Sequence, residues 1–441
     1  MRVRIQKARG LSARLSVPGD KSVSHRALLF GALAEGECEV DNLSPGGDVQ
    51  STARCLQEMG VAIAVEPGCA RIVGAGLSGL TPPVRELDCG NSGTTLRLLS
   101  GIVAGAGFAT TLSGDHSLQR RPMKRVLEPL RRMGALASGR PNAQGDECAP
   151  LRFEKRSQPL QGQDHILPVA SAQVKSALLL AGLFAEGVTR VREPELSRDH
   201  TERMLHAYGA PVAVGSDGWI SVRAPERPLL APRRIEVPGD PSSAAFWIAA
   251  ALLVPTSDVV IEGVDANPTR LGFVRVLQRM GGDVVVEPAG ERAGDPIATV
   301  RISGKKPLRA TTIDGPEIPS LVDEVTLLAI LASQAEGETR IRGASELRVK
   351  ESDRLRQVTL GLRAMGAEIS ELSDGLVIRG RQPLHGAQID AASDHRIAMG
   401  FAVAGLCAEG ETEVDGAEWA DISYPGFFAR LGEASGGAVV D

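Results

Sequence analysis

The sequence predicts an α/β chain of two lobes, each built from three copies of one βαβαββ-like unit, and three observations lead there. Six apolar, helix-like runs recur along the 441 residues, each opened by a short polar tip rich in glycine or serine. A second series of helices ends in a repeated pair: Met59-Gly60, Met133-Gly134, Tyr208-Gly209, Met280-Gly281, Met365-Gly366 and, more weakly, Leu431-Gly432. The tetrapeptide Val17-Pro18-Gly19-Asp20 returns as Val237-Pro238-Gly239-Asp240. A period of roughly 70–80 residues is too long for the common solenoids, so the copies are small folded units and not thin layers of a rod.

In the first half the tips are Asp20-Lys21-Ser22-Val23-Ser24-His25-Arg26, Gly90-Asn91-Ser92-Gly93-Thr94-Thr95 and Ser171-Ala172-Gln173-Val174-Lys175-Ser176. They precede apolar runs over residues 27–34, 96–104 and 177–185. The second half repeats this with Gly239-Asp240-Pro241-Ser242-Ser243, Pro319-Ser320-Leu321-Val322-Asp323-Glu324 and Ser393-Asp394-His395-Arg396, before runs over 244–253, 325–335 and 397–408. These runs are apolar nearly all round, which places them inside a domain with strands outside. After most of them a glycine is expected to stop the helix and a strand to begin, as in Ala34-Glu35-Gly36, Ala185-Glu186-Gly187, Ala335-Glu336-Gly337 and Ala408-Glu409-Gly410.

The second helices read as amphipathic and also open on polar clusters: Arg120-Arg121-Pro122-Met123-Lys124-Arg125, Ser197-Arg198-Asp199-His200, Asn267-Pro268-Thr269-Arg270 and Lys350-Glu351-Ser352-Asp353-Arg354. Proline and glycine in the repeated tetrapeptide set the chain direction where it crosses between lobes. The expected lobes are residues 18–238, with the first three units, and 1–17 plus 239–441, with the last three. Residues 1–16 then return a strand to the second lobe, and a cleft between lobes collects the polar tips.

Composition narrows the function. With 43% hydrophobic residues the chain can bury substantial cores, while a net charge of −5 and 3% aromatic residues argue against a nucleic-acid surface. No run has the length of a membrane span, and the opening Met1-Arg2-Val3-Arg4-Ile5 lacks the apolar stretch of a signal peptide, so the expected location is cytoplasmic. The six cysteines, at positions 38, 55, 69, 89, 148 and 407, form no C-x-x-C pair and read as reduced, mostly buried thiols.

The tips carry the chemistry. A helix start leaves N–H groups unpaired and carries partial positive charge, so several of them make a strong anion site. Phosphate and carboxylate groups want guanidinium forks, ammonium point charges and N–H donors, and Lys21, Ser22, Arg26, Arg121, Lys124, Ser171, Gln173, Arg198, Lys350, Arg354 and Arg396 supply them. Any one of these alone is a solvated charge or an ordinary N-cap. Basic residues at corresponding positions across the repeats favour the binding reading. Among these cations stand two carboxylates, Asp323 and Glu351, suited to proton transfer, although Asp323-Glu324 taken alone is the acidic start of a helix. His25, His200 and His395 have no ligand-spaced partner, so they are read as capping or hydrogen-bonding groups and no metal is expected. P-loop, G-x-G-x-x-G and G-x-S-x-G signatures are missing.

Three stretches carry a resemblance: Pro18-Gly19-Asp20-Lys21-Ser22-Val23-Ser24-His25-Arg26-Ala27, Gly90-Asn91-Ser92-Gly93-Thr94-Thr95-Leu96-Arg97 and Arg348-Val349-Lys350-Glu351-Ser352-Asp353-Arg354-Leu355. The chain resembles the 3-phosphoshikimate 1-carboxyvinyltransferase, or EPSP synthase, family along its whole length. The resemblance implies a two-lobe inside-out α/β barrel. It also implies transfer of an enolpyruvyl group from phosphoenolpyruvate to the 5-hydroxyl of shikimate 3-phosphate, without a cofactor. The implied partners are those two small molecules, with no nucleic acid and no membrane, and the implied chain is a monomer.

Position by position, the resemblance assigns Ser22, Arg26, Ser171, Ala172, Gln173 and Arg198 to shikimate 3-phosphate and Lys21 to both substrates. Gly93, Arg121, Arg354 and Arg396 fall on the phosphoenolpyruvate side, with Gln173 between the two substrates and Lys350 among the binding residues. Asp323 is implied to take the 5-hydroxyl proton, and Glu351, helped by Lys21, to protonate the methylene carbon. Gly19-Asp20-Lys21, Ser171-Ala172-Gln173-Val174-Lys175, Arg198-Asp199-His200-Thr201-Glu202 and Asn267-Pro268-Thr269-Arg270 resemble the class II branch associated with glyphosate tolerance. Gly93 departs from the alanine that would crowd the inhibitor, and Asp421-Ile422 precedes Ser423-Tyr424-Pro425 where many class I members carry a lysine. Intermediate tolerance at most is expected. The alternative activity is that of the UDP-N-acetylglucosamine enolpyruvyl transferases, against which Lys21-Ser22 and a cysteine-free stretch over 113–123 count. An RNA-end-processing protein on a related repeat is a third reading, disfavoured by the low aromatic content.

Overall fold

The structure, a computed structural model, describes residues 1–143, 145–229 and 234–440. Residues 144, 230–233 and 441, which the expected lobe ranges also span, lie outside the described residues. The fold is mixed α/β. Two compact units divide it: residues 19–238 with 292–295, and residues 1–18, 239–291 and 296–441.

The unit of residues 19–238 holds three four-stranded sheets. One runs Arg234–Glu236, Glu35–Asp41, Cys69–Ala75, Ala62–Glu66, with the first pair parallel and the others antiparallel. The same order recurs in Leu87–Asp88, Thr110–Ser113, Glu147–Phe153, Ala137–Pro141 and in Asp164–Ile166, Val188–Arg192, Trp219–Arg223, Val212–Val214. In the other unit it recurs in Thr312–Ile313, Glu338–Ile341, Gly375–Arg379, Glu368–Leu372. The remaining two sheets there take strands from the start of the chain. Arg2–Gln6 pairs antiparallel with Glu411–Asp415 and with Val439–Val440, and Ser12–Ser16 pairs parallel with Asp258–Asp265.

Inside each unit lie three apolar helices: Lys21–Leu33, Gly93–Ala106 and Ala172–Gly182 in one, Pro241–Leu253, Val325–Gln334 and His395–Gly405 in the other. Their burial is nearly complete, as the even distribution of apolar residues around each helix demands. In Pro241–Leu253 every residue from Ser242 onward is buried. Each unit has its own hydrophobic core. Helices Gly93–Ala106 and Ala172–Gly182 approach so closely at Gly101 that a Cβ there would lie 2.1 Å from the Ala177 carbonyl oxygen. None of the described helices is long and apolar enough to cross a membrane.

Three local expectations are corrected. The glycines following the first apolar helices do not stop them. Lys21–Leu33 and Val325–Gln334 end at Ala34 and Ala335, which are already extended, and Gly36 and Gly337 take positive φ of 104° and 102° beyond them. Chain reversal, and not helix termination, is what needs glycine there. The pairs ending the second helices behave as read at Gly60, Gly134, Gly209, Gly281 and Gly366, all with positive φ, but Gly432 lies inside the helix Phe427–Ala434. Gly436 and Gly437 supply the positive φ instead. Finally, the tip containing Asp323 forms two short 3-10 segments, Gly315–Ser320 and Val322–Glu324, because Leu321 between them sits at φ −149° and interrupts the helical path.

Candidate active site

The apolar helices of the unit of residues 19–238 start within the expected tips. Asp20 caps Lys21–Leu33 by accepting from the Val23 N–H at 2.8 Å, and this fixes the first turn on which Lys21, Ser22 and Arg26 stand. Lys21 Nζ lies 3.0 Å from Asp48 Oδ2. Arg26 is buried and donates to Thr201 Oγ1 and Ser176 Oγ, both at 2.7 Å, and to the Ser22 carbonyl at 3.0 Å. Burial lowers the Arg26 pKa to about 10 against the pull of Glu202 and Asp20, so it stays a cation at neutral pH.

His25, one residue earlier, is pushed by burial down to about 3 and is neutral. Its Nδ1 meets Thr52 Oγ1 at 2.7 Å, Thr52 meets Thr95 Oγ1 at 2.7 Å, and Thr95 donates to Ser92 Oγ at 2.8 Å. That buried chain of hydroxyls ties the first tip to the second, where Ser92 caps the helix that begins at Gly93. His25 Nδ1 is thereby engaged inside the protein by Thr52. His200 is likewise engaged, with Nδ1 2.8 Å from Asp295 Oδ2.

Around Gly93 the second tip gathers two arginines. Arg121 Nη2 donates to Asn91 Oδ1 at 2.6 Å, and Arg97 Nη1 donates to Gln173 Oε1. Gln173 Nε2 in turn reaches Thr94 Oγ1 at 3.0 Å, so Gln173 bridges the second and third tips. Ser171 caps Ala172–Gly182, and Ala172 opens that helix half-buried. Arg198 is half-buried just before the helix His200–Ala207. Lys124 is not brought in: it is exposed and pairs along its own helix with Glu128 at 3.6 Å, the solvated alternative.

In the other unit the chemistry centres on Arg354. Its Nε donates to Asp394 Oδ2 at 2.8 Å, its Nη2 to Asp394 Oδ1 at 3.3 Å and to Glu351 Oε2 at 2.6 Å, and its Nη1 to Asp323 Oδ1 at 3.4 Å. Burial works to lower the Arg354 pKa, but Asp394, Glu351 and Asp323 outweigh it and raise it. For Asp394, burial works upward and Arg354 prevails, leaving its carboxyl below the ordinary value.

Further cations surround Asp323. Lys350 Nζ lies 3.9 Å from its Oδ1 and 3.1 Å from Glu346 Oε1. Arg396 Nη2 is 4.0 Å from Asp323 Oδ2, while Arg396 Nη1 donates to the Asp323 carbonyl at 3.2 Å and lies 3.8 Å from Glu324 Oε1. Asp323, Glu351, Lys350, Arg354 and Arg396 therefore form one cluster within this unit. Such a cluster can bind a carboxylate or phosphate and hold ionised carboxylates beside it.

Sequence reasoning gave no role to Arg97, Asp394, Glu324, Lys175, Glu193 or Glu202. Asp394 lay inside a quoted tip, and Arg97 ended the quoted stretch from Gly90, a charge one turn into an otherwise apolar run, which was the available signal. Lys175 was also in a tip, but Glu193 and Glu202 meet it only through the fold: its Nζ is 2.9 Å from Glu193 Oε2 and 2.8 Å from Glu202 Oε1.

Comparisons with known proteins point to one family. The family model described as EPSP synthase (3-phosphoshikimate 1-carboxyvinyltransferase) matches residues 5–431. A 3-phosphoshikimate 1-carboxyvinyltransferase of Synechococcus sp. (strain JA-3-3Ab) is 51% identical over 430 residues, covering 97% of this chain and 95% of its own. One from Pelotomaculum thermopropionicum is 49% identical over 428 residues, covering 97% of each. A solved EPSP synthase from Acinetobacter baumannii superposes with a TM-score of 0.87 at 39% identity, covering 100% of both chains.

Proposed function

This chain belongs to the EPSP synthase family, and we propose that it carries out that family's enolpyruvyl transfer with the two clusters just described. It is an enzyme of the shikimate pathway, transferring the enolpyruvyl group of phosphoenolpyruvate to the 5-hydroxyl of shikimate 3-phosphate and releasing phosphate. The UDP-N-acetylglucosamine activity is set aside, because the family match and relatives near 50% identity all carry the shikimate name.

Shikimate 3-phosphate is held by Lys21, Ser22, Arg26, Ser171, Ala172, Gln173 and Arg198 in this proposal. Phosphoenolpyruvate is held by Gly93, Arg121, Lys350, Arg354 and Arg396, with Lys21 serving both. Guanidinium forks and helix-start N–H groups are the donors that a phosphate and a carboxylate require. The arrangement around Arg354 carries the reading, since three carboxylates share one buried guanidinium.

The steps balance without a cofactor. Asp323, 3.4 Å from Arg354 Nη1, accepts the 5-hydroxyl proton as that oxygen bonds to C2 of phosphoenolpyruvate. Glu351 delivers a proton to C3, and the π electrons of the double bond form the new C–H bond. The resulting phospho-ketal expels phosphate from C2 as the leaving oxygen takes the proton held by Asp323, while the new methyl group returns its proton to Glu351 and the double bond re-forms.

The finer architecture belongs to the same proposal: lobes of residues 18–238 and of 1–17 plus 239–441, three units each, as an inside-out α/β barrel. Six four-stranded sheets and six buried helices support it. A monomeric, cytoplasmic enzyme acting on small molecules is proposed as well, and the six free thiols fit a reducing compartment.

Phosphate release tests the function, measured with phosphoenolpyruvate and either shikimate 3-phosphate or UDP-N-acetylglucosamine, alongside Lys21→Ala and Asp323→Ala. Release that needs shikimate 3-phosphate and collapses in both variants is expected. Release undiminished in the variants would remove these residues from the site.

A further inference from the structure

Lys175, Glu193 and Glu202 form a buried ion cluster that the reaction does not itself use. Lys175 is wholly inaccessible, and both of its carboxylate partners lie within 2.9 Å. Burial works to lower the Lys175 pKa, yet the two carboxylates prevail and raise it, so the ammonium persists. Removing three charges from water costs several kcal/mol per ion, and apolar residues of similar volume commonly give equal or greater stability. Stability is thus a poor reason for this cluster, and its remaining contacts supply another.

Glu193 Oε1 accepts the Ser171 N–H at 2.7 Å, and its two oxygens accept the Ser197 hydroxyl at 2.8 and 2.7 Å. Ser171 is the cap from which Ala172 and Gln173 project, and Ser197 immediately precedes Arg198. Glu202 is the strongest of the groups holding up the charge of Arg26, whose Nε rests on the neighbouring Thr201 hydroxyl. Thr201 and Ser176, the residue after Lys175, share a hydrogen bond of 2.6 Å. Three of the groups assigned to shikimate 3-phosphate, on separate stretches of chain, therefore converge on one buried ammonium and its two carboxylates.

We propose that Glu193, locked by Lys175 and Glu202, is a positioning residue for shikimate 3-phosphate: it holds the Ser171 cap and the Ser197-Arg198 segment at the separation the phosphate needs. The inference rests on the assignment of Ser171 and Arg198 to that substrate. Glu193 does not touch the phosphate, since a carboxylate facing it would repel it. Its role is to fix donors before the substrate arrives, so that binding does not have to order them.

The test uses Glu193→Gln, which keeps the shape and one acceptor but loses the charge, with Ser197→Ala and Arg198→Ala beside it in the full chain. Affinity for shikimate 3-phosphate alone is measured by calorimetry, with KM for each substrate, kcat and the melting temperature. Losing a charged hydrogen-bond acceptor should weaken shikimate 3-phosphate by about tenfold in Glu193→Gln, with the phosphoenolpyruvate KM held within about twofold. Ser197→Ala, which leaves the ion pairs intact, should give a smaller shift confined to the same substrate.

If Arg198→Ala weakens shikimate 3-phosphate while Glu193→Gln does not, or if Glu193→Gln raises both KM values alike, the positioning role is overturned and the site assignment stands. If neither variant changes the affinity, the assignment itself fails and takes the positioning role with it. Should Glu193→Gln not fold, Ser197→Ala decides: a shift confined to shikimate 3-phosphate supports the role, and none refutes it.

Discussion

Arg354 and Asp394 meet edge to edge inside one unit, with Nε on Oδ2 at 2.8 Å and Nη2 on Oδ1 at 3.3 Å. Asp394 also caps His395–Gly405, accepting from the Arg396 N–H at 2.9 Å, and takes the Ser352 hydroxyl at 2.9 Å. One carboxylate thereby aims both arginines of the proposed phosphoenolpyruvate cluster. Removing one member of a buried pair costs roughly 3–5 kcal/mol, so Asp394→Ala should lower the thermal midpoint sharply. Asp394→Asn keeps a capping oxygen and should fold, with the phosphoenolpyruvate KM raised at least about tenfold. An unchanged KM in a folded Asp394→Asn protein would deny Asp394 this aiming role.

Asp323 and Glu351 are expected to separate binding from chemistry. Asp323→Asn and Glu351→Gln retain size and hydrogen bonding to Arg354 but cannot exchange a proton, so kcat should fall by about 10²–10⁴. Steady-state kinetics at saturating substrates provide the check. Variants turning over within a few-fold of the parent would have to be replaced as proton carriers.

Gly93 offers a steric test. A Cβ there would sit 3.2 Å from a guanidinium nitrogen of Arg121 and 3.2 Å from one of Arg97. Both contacts are with the ends of flexible side chains, so Gly93→Ala should fold normally while displacing the two forks slightly. Inhibition by glyphosate should weaken more than the phosphoenolpyruvate KM rises, and the parent should show intermediate tolerance at most. A parent inhibition constant matching that of sensitive enzymes would contradict the tolerance, and an unaltered Gly93→Ala would contradict the steric argument.

Two buried histidines set an acid limit. Burial is the leading cause of depression at both His25, to about 3, and His165, to about 4, from an ordinary value near 6.5. Folding favours their neutral forms, so this contribution to stability is complete above pH 6.5 and is lost as pH falls toward 4 and then 3. Between those values each adds a slope of up to about 1.4 kcal/mol per pH unit. Denaturant titrations from pH 7 to 4 should show it, and His165→Gln should flatten the slope. An identical slope in that variant would assign the acid sensitivity to other groups.

The six tips and most of the positive-φ glycines were legible because they are local: a polar cap before an apolar run, and a residue free to take positive φ after a helix. The cations at the tips were legible for the same reason. Lys124 shows the limit, since its position in a basic tip matches Arg121 three residues earlier, yet only the fold turns it toward solvent and Glu128. Glu193 and Glu202 were illegible because their meaning comes from Lys175, on another element. Asp323 was found, but its 3-10 setting was not, since the backbone angle of Leu321 leaves no mark in composition.

The strand Arg2–Gln6, held between Glu411–Asp415 and Val439–Val440, imposes an order on biosynthesis. Residues 19–238 emerge from the ribosome as one nearly continuous unit, able to collapse while translation continues. The first two strands emerge earlier still and then wait with open edges, the second for Asp258–Asp265 and the first for Glu411–Asp415 and Val439–Val440. Over that interval the edges are open to other strands, and slowing translation between residues 16 and 411 would prolong it.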